Sequence, residues 1–240
     1  MVPRKIGHIW IGPHPAPEAW MQTWKDAHPD WTYRVYDNDY LCNRRFRNQL
    51  QINEYFRRKK YAGVADLMRY EILHEEGGFL PEADSVCLHP VDDLLTEDRA
   101  YTVYEFPEGR TGMMSPFLAS NPGNRVIARV IETLSQLAPE DMQMPWTTTG
   151  NGFLRRFFRA NRDLRQEVTV FPSHYFIPEH HSGKAYTGTD RIYARQMWAT
   201  TLRAYPHSRG RGPVTPDEAR EIRAAIQSRL AAQLDASGAG

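Results

Sequence analysis

The sequence predicts a single α/β domain followed by a C-terminal helix, and three observations lead to this prediction. Short apolar segments alternate with helical patterns along most of the chain. One central segment, residues 61–76, is apolar on nearly every side, which is typical of a helix buried inside a domain. The chain has 240 residues, a length at which one domain buries most of the surface of its unfolded chain.

The predicted strands are short apolar or alternating segments. Residues 32–36 alternate in the way of a strand, and Asp37 closes the segment as a turn former. Gly12 and Pro13 end the first strand in the same manner. The predicted extended segments are residues 5–11, 32–36, 86–88, 100–106, 113–120 and 168–171.

The predicted helices are longer segments with apolar residues at helical spacing. Gly77 is expected to end the central helix, because glycine readily adopts the left-handed conformation found at helix C-termini. The segment 125–137 carries a core stripe of Val126, Ile127, Val130, Ile131 and Leu134. The predicted helices are residues 17–27, 39–60, 61–76, 125–137 and 153–159.

A last helix follows a linker rich in Gly, Arg and Pro at residues 209–213. Thr215 is placed as an N-cap, Pro216 lies in the first turn, and Glu218 is at the capping-box position. This helix has Ala219, Ile222, Ile226 and Leu230 on one side, so it packs on the domain or meets a partner. We therefore divide the chain into a domain at 1–208 and a linker with a helix at 209–240.

Composition and charge favour an ordinary globular protein. Hydrophobic residues make up 41% of the chain and charged residues 25%. A net charge of +1 gives no reason to expect a nucleic acid or an acidic membrane as partner. Cys42 and Cys87 cannot form a disulfide framework and lack the spacing of a zinc site. No segment has the length of a transmembrane helix and residues 1–10 lack a signal-peptide core, so we expect a cytoplasmic protein.

Four charged residues lie in or just after the central helix, where burial would be costly. Asp66 and Arg69 are one turn apart on one helix face, and Glu82 and Asp84 follow the helix. Residues i and i+2 of an extended segment point the same way, so both later carboxylates can face one ion. One interpretation is an Asp66–Arg69 pair with two solvated acids, and the other is a site for a metal ion and a polar anionic ligand. We favour the site, since unpaired buried charge costs several kcal/mol.

Four segments carry recognisable motifs: HIWIG at 8–12, HPDWTYRVYD at 28–37, AGVADLMRYEILHEEGG at 62–78 and HPVDDLL at 89–95. A fifth, TTGNGFL at 148–154, is a weaker match. In this order they resemble the DXD-containing sugar-nucleotide glycosyltransferases of family 32, the group of the yeast initiating mannosyltransferase and bacterial capsule transferases. The clostridial glucosylating toxins are more distant relatives. The resemblance covers roughly residues 3 to 200.

The resemblance implies a GT-A-type fold with a mixed central sheet, and a transferase that moves a hexose from a UDP- or GDP-sugar to a glycan, lipid-linked or protein acceptor. It implies Mn²⁺ or Mg²⁺ as cofactor, because hard cations prefer carboxylate oxygens. Asp84 is expected to bind the metal directly, with Glu82 acting through water or on the ribose hydroxyls. In the family, Asp66 and Arg69 hydrogen-bond the donor sugar and Trp10 stacks on the base. The implied donor site consists of Trp10, Ile11, Tyr61, Asp66, Arg69, Glu82 and Ser115.

The chain departs from the family pattern at several of these positions. The Asp-x-Asp motif reads Glu82-Ala83-Asp84, and Ser115 stands where the family has an asparagine. Gln196 replaces a histidine, and Thr201-Leu202 replace a Ser-Trp pair in the segment that closes the site. A sugar-nucleotide-binding protein with impaired catalysis is therefore the main alternative.

Other templates fit less well. His74-Glu75-Glu76 lacks the second histidine of a zinc protease, and no phosphate loop occurs. His180 and His181 are adjacent in a polar segment, and we expect both to be solvated. A weaker alternative is a basic surface that binds nucleic acid through Arg155, Arg156, Arg159, Arg162 and Arg165. No residue stands out as a nucleophile or general base, which is expected if the anomeric configuration is retained by front-face attack, as the family resemblance implies.

Overall fold

A mixed sheet of six strands lies at the centre of the protein, in a computed structural model that describes residues 1–107, 112–202 and 214–235. Its strands are β1 (Lys5–Ile9), β2 (Thr32–Tyr36), β3 (Gly78–Phe79), β5 (Ala100–Val103), β6 (Ala119–Ser120) and β7 (Val168–Phe171), in the order β2-β1-β3-β6-β5-β7. A separate antiparallel pair consists of β4 (Ser85–Cys87) and β8 (Ala194–Gln196).

The direction of the strands gathers their carboxyl ends at one edge of the central sheet. β1 pairs parallel with β2 and β3, and β5 pairs parallel with β7. β6 pairs antiparallel with both β3 and β5, so those two strands run the same way. In open sheets of this kind, ligands bind at the carboxyl ends of the strands.

Helices cover both faces of the sheet, as the predicted α/β class requires. They are α1 (Glu18–Ala27), α2 (Asn38–Asn43), α3 (Gln49–Arg57), α4 (Tyr61–Glu75), α5 (Arg125–Ser135), α6 (Pro145–Thr148), α7 (Asn151–Ala160), α8 (Arg162–Arg165), α9 (Ala199–Leu202) and α10 (Pro216–Asp235). One core cluster joins α3, α4, α5 and α7, and a second joins α1 to the other face of the sheet. No helix of the described ranges is both long and apolar enough to cross a bilayer.

The central helix α4 is buried as the sequence predicted. Val64, Leu67 and Ile72 have no exposed surface, although they lie on different sides of the helix. Gly63 lies directly beneath the Tyr55 ring, where a Cβ atom would come within 2.4 Å of the ring carbons. Gly77, at φ +65°, ends the helix in the expected left-handed conformation.

Four predicted elements differ from the structure. The strand predicted at 100–106 ends at Val103. The first strand ends at Ile9 instead of residue 11. The predicted helix 39–60 is two helices, α2 and α3, separated by residues 44–48. The predicted strand 113–120 is reduced to β6 and an isolated bridge between Tyr104 and Met114, because Pro116 has no N–H to donate to a sheet.

The C-terminal helix α10 packs on the domain, against α2 and α3. Ile226 and Leu230 are buried, and Asn53 of α3 donates to the Leu230 carbonyl over 3.1 Å. Thr215 and Glu218 form the predicted capping box, with the Thr215 N–H donating to the Glu218 carboxylate over 2.8 Å. The predicted linker and the boundary at 208/209 lie outside the described residues.

Candidate functional site

The candidate site lies at the sheet edge where β1 and β3 end. Trp10 and Ile11 follow β1, and Leu80 to Glu82 follow its parallel neighbour β3. The α4 helix, which leads into β3, supplies Asp66 and Arg69. The structure thus brings residues from separate sequence motifs to one edge.

Arg69 connects the central helix to the segment that follows β3. Its Nη2 donates to Glu82 Oε1 over 2.7 Å, and its Nη1 donates to the carbonyls of Leu80 and Phe117. The arginine side chain is only 4% exposed, whereas the glutamate side chain is 40% exposed. The ion pair is therefore between Arg69 and Glu82, and Asp66 has a different partner.

Asp66 accepts a hydrogen bond of 2.8 Å at Oδ2 from the hydroxyl of Thr149. Tyr70, one turn along α4, holds the same threonine by donating to its carbonyl over 2.6 Å. Burial raises the pKa of Asp66 to about 7, and the negative charge of Glu82 adds to this, while Thr149 and Arg69 act in the opposite direction. A carboxylate with this pKa titrates near neutral pH.

Asp84 is held by the last residue of β8 and by the segment that follows this strand. Its Oδ1 accepts from Gln196 Nε2 over 2.6 Å, and its Oδ2 accepts from the N–H of Ala199 over 2.9 Å. The antiparallel β4–β8 pair sets this contact, because Ser85 lies opposite Gln196. Burial and then the charge of Glu82 raise the pKa of Asp84, so the two carboxylates are close enough to repel each other.

The segment after β1 is held by a side chain of α2 next to Trp10. Both backbone groups of Gly12 bind the Asn38 side chain, with its N–H donating over 2.9 Å and its carbonyl accepting over 2.8 Å. Gly12 has φ +114°, and a Cβ atom there would lie 3.0 Å from the Tyr61 ring. The predicted donor residues Trp10, Ile11 and Tyr61 therefore lie around one turn.

Ser115 lies beside the end of β5. Its N–H donates to the Val103 carbonyl over 3.0 Å, and its carbonyl accepts from the Thr102 hydroxyl over 2.6 Å. Phe117, two residues further on, is bound by Arg69 through its carbonyl. The backbone of this segment is thus linked to the guanidinium at the site.

The donor atoms at the site suit a hard divalent cation. Glu82 and Asp84 supply carboxylate oxygens, and their mutual repulsion would be relieved by a cation between them. Within the described residues, no group of three or more His, Cys, Asp or Glu side chains is placed to hold an ion. Mg²⁺ is commonly bound by one or two carboxylates together with substrate phosphates and water, so a two-carboxylate site fits this mode.

Sequence reasoning missed the side-chain role of Thr149. The segment 148–154 was recognised only as a weak family match. In the structure α6 ends at Thr148, and the Thr149 hydroxyl supports Asp66. Eighty-three residues separate the two partners, and no local pattern indicates such a contact.

Residues 17–101 match the family model described as a glycosyltransferase sugar-binding region containing the DXD motif. Over 218 residues the chain is 25% identical to an uncharacterised glycosyltransferase, L373, of Acanthamoeba polyphaga mimivirus, covering 85% of this chain and 86% of the relative. The family match confirms the resemblance seen in the sequence.

Two solved structures share the architecture. The PaToxG glycosyltransferase superposes with a TM-score of 0.54 at 12% identity, covering 69% of this chain and 75% of its own. The UDP-bound glycosyltransferase domain of the YGT toxin gives a TM-score of 0.51 at 8% identity, covering 71% and 80%. These similarities confirm the predicted GT-A-type fold.

Proposed function

Because residues 17–101 match the family model of the glycosyltransferase sugar-binding region containing the DXD motif, we propose that this chain transfers a hexose from a UDP- or GDP-sugar with the help of Mg²⁺ or Mn²⁺. One observation carries the proposal. Asp66, Arg69, Glu82 and Asp84 meet at the carboxyl ends of parallel strands, and each carboxylate has a fixed partner.

The sugar of the donor would lie between Asp66 and Arg69. A fixed carboxylate accepts hydrogen bonds from sugar hydroxyls, and a guanidinium donates to their oxygens. Thr149 supports Asp66 and the Leu80 carbonyl supports Arg69, so both groups are already oriented in the free protein. Such preorganisation lowers the cost of binding a polar ligand.

The diphosphate would lie at Glu82 and Asp84. A divalent cation bound there supplies positive charge that stabilises the leaving diphosphate. This chain's own part is to supply the two carboxylates and to hold Asp84 through Gln196 and Ala199. Trp10 and Tyr61, beside the Gly12 turn, would contact the base.

The test is a panel of UDP- and GDP-hexoses, measured by thermal unfolding with and without Mn²⁺ and by release of free nucleoside diphosphate. We expect at least one donor to raise the melting temperature and to be consumed only with metal, because a ligand bound by the folded state alone stabilises it. Asp84→Ala should abolish both effects, and Asp141→Ala, at an exposed carboxylate elsewhere, should retain them. Failure of every donor to bind a folded sample overturns the proposal. UDP-sugars come first, since one neighbour of this fold binds UDP.

We further propose that the anomeric configuration is retained, as in the family that the sequence resembles. Proton NMR of the first-formed product distinguishes retention from inversion through the anomeric coupling constant. A product of inverted configuration would contradict this part of the proposal and leave the donor site intact.

A second candidate is a sugar-nucleotide-binding protein with little turnover. The favouring observation is that Glu82 already pairs with Arg69 and that both oxygens of Asp84 already accept hydrogen bonds. Tight donor binding without release of nucleoside diphosphate, in the presence of metal and a broad set of acceptors, would support this candidate.

A further inference from the structure

Glu105 is a buried carboxylate at the same sheet edge that has no role in the proposed donor site. It follows β5, which runs parallel to β3, so it lies at the edge where the other acidic residues are found. Its side chain is 9% exposed, and its Oε2 makes no hydrogen bond of normal geometry with any residue that the structure describes. Burying a carboxylate is costly unless polar groups surround it, so the polar side chains near Glu105 decide what this carboxylate can bind.

On one side, an aromatic cluster connects Glu105 to the segment that holds Asp84. His180 Nε2 lies 3.8 Å from Glu105 Oε1, and the His180 ring lies 4.8 Å from the Trp198 ring. Trp198 is flanked by Met197 and Ala199, whose N–H groups donate to the backbone and side chain of Asp84. His180, which the sequence predicted to be solvated, is buried.

On the other side, Glu105 faces the segment that holds Asp66. Its carboxyl is close enough to Asn151 and Trp146 for their polar groups to lower its pKa, although burial raises that pKa more. Trp146 Cα and Asp66 Oδ2 lie 3.4 and 3.3 Å from the position of a Cβ atom on Gly150. Glu105 therefore lies between the two segments that fix the carboxylates of the donor site.

Trp146 adds an exposed aromatic surface beside this carboxylate. Its side chain is 54% exposed, and its ring packs on Gly152, where a Cβ atom would come within 3.2 Å of Cζ3. The glycine thus leaves one ring face supported by backbone while much of the indole faces solvent. A large exposed aromatic residue beside polar side chains is typical of a ligand-binding surface.

We propose that Trp146, Asn151 and Glu105 form the acceptor subsite, and that the acceptor is a saccharide. A pyranose has apolar C–H faces that pack on an indole ring, and hydroxyls that donate to a carboxylate and accept from an amide. An acceptor hydroxyl bound at the Glu105 carboxyl would lie next to the two segments that hold Asp66 and Asp84. This inference depends on the proposed function, since the donor defines what an acceptor is.

The experiment uses methyl hexopyranosides of glucose, galactose and mannose, in both anomeric forms, as probes. Saturation-transfer difference NMR on the full chain with UDP and Mg²⁺ reports their binding. We expect at least one probe to bind, Trp146→Ala to weaken it at least tenfold, and Trp146→Phe to retain part of it. Glu105→Gln should also weaken binding, because the neutral amide accepts less strongly.

Met144→Ala is the matched control, since Met144 is equally exposed two residues away. In transfer assays Trp146→Ala should raise the acceptor KM at least tenfold, and Met144→Ala should leave it unchanged. Binding that survives Trp146→Ala overturns the subsite, as does a protein that binds the donor and none of the glycosides. Transfer to a serine or tyrosine peptide that does not depend on Trp146 also overturns it. If the wild-type protein does not bind the donor, the function proposed above is overturned instead.

Discussion

Arg69 and Glu82 are joined by a 2.7 Å hydrogen bond between Nη2 and Oε1, and this ion pair is strongly asymmetric. The guanidinium is 4% exposed and also binds the carbonyls of Leu80 and Phe117, whereas 40% of the glutamate side chain faces solvent. Arg69 therefore holds together three segments of the sheet edge. Glu82 contributes a carboxylate that is free to take a further partner.

We expect the two halves of this ion pair to differ in their effect on stability. Arg69→Ala leaves two buried carbonyls unpaired and should lower the free energy of unfolding by about 2–4 kcal/mol. Glu82→Gln keeps the size of the side chain at a half-exposed position and should cost less than about 1 kcal/mol. Urea unfolding followed by circular dichroism measures both. Equal losses for the two variants would show that the ion pair, and not the contacts with the two carbonyls, accounts for the contribution of Arg69 to stability.

Asp66 should make both stability and donor binding depend on pH near neutrality. Its pKa is raised to about 7 in the folded protein, against about 4 for an ordinary aspartate. Between these values the folded state binds more protons than the unfolded state, so its stability falls as pH rises from about 4 to about 7 and then levels off. Donor affinity should rise through about pH 7, because the ionised carboxylate is the stronger acceptor.

Asp66→Asn is the control for this pH dependence, since it keeps the shape and removes the titration. Unfolding free energies and donor affinities at pH 5 to 8, wild type minus variant, isolate the contribution of this one group. A difference that stays flat across this range would mean that Asp66 is already ionised at pH 5.

Thr149→Val tests whether the threonine hydroxyl lowers the pKa of Asp66. The hydroxyl donates to Asp66 Oδ2 and also to the Pro145 carbonyl, and its loss removes a hydrogen bond that favours the charged form. We expect the midpoint of donor binding to move to higher pH and stability to fall by about 1–2 kcal/mol. Isothermal titration with the donor across pH follows the midpoint. An unchanged midpoint with the same stability loss would limit Thr149 to a structural role.

Gly12→Ala should disturb the proposed base pocket, and Gly123→Ala is its matched control. Both glycines have positive φ, +114° and +69°, so either alanine costs about 1–3 kcal/mol in backbone strain. A Cβ atom on Gly12 would also press on the Tyr61 ring, whereas the space around Gly123 is open. Gly12 cannot shift easily, because Asn38 holds both of its backbone groups. Only Gly12→Ala should weaken donor binding at least tenfold. Equal donor binding by both variants would show that Tyr61 does not contact the donor.

The sequence predicted elements well where a local pattern decides them. The strand 32–36, the strand 168–171 and the end of α4 at Gly77 agree with the structure. The predicted helix 39–60 failed for a non-local reason. Glu71 of α4 accepts hydrogen bonds from the N–H groups of Arg47 and Asn48, which interrupts the helix and starts α3. Such capping from a distant helix has no sequence signal.

The site could be predicted only in part for the same reason. Motifs pointed to Asp66, Arg69, Glu82 and Asp84 as one acidic site, and the structure brings them together through their charges and hydrogen bonds. The partners of these residues come from far along the chain, as with Gln196 on β8. Glu105 was overlooked because it stands in a plain strand-like segment, and only the order of the strands places it at this edge.

The C-terminal helix should be a stable part of the fold and not a separate arm. Leu230 of α10 is buried in the main core cluster, and Ile222, one of the four residues predicted to face one way, is 37% exposed. Leu230→Ala should lower the free energy of unfolding by about 2–4 kcal/mol, and Ile222→Ala by less than about 1 kcal/mol. Hydrogen exchange would locate the effect, since amides of α10 should exchange faster in Leu230→Ala than in wild type while those of α4 keep their protection. Unchanged stability and unchanged exchange of α10 in Leu230→Ala would contradict this prediction. They would show that α10 adds no stability to the domain and that the predicted boundary at 208/209 marks an independent segment.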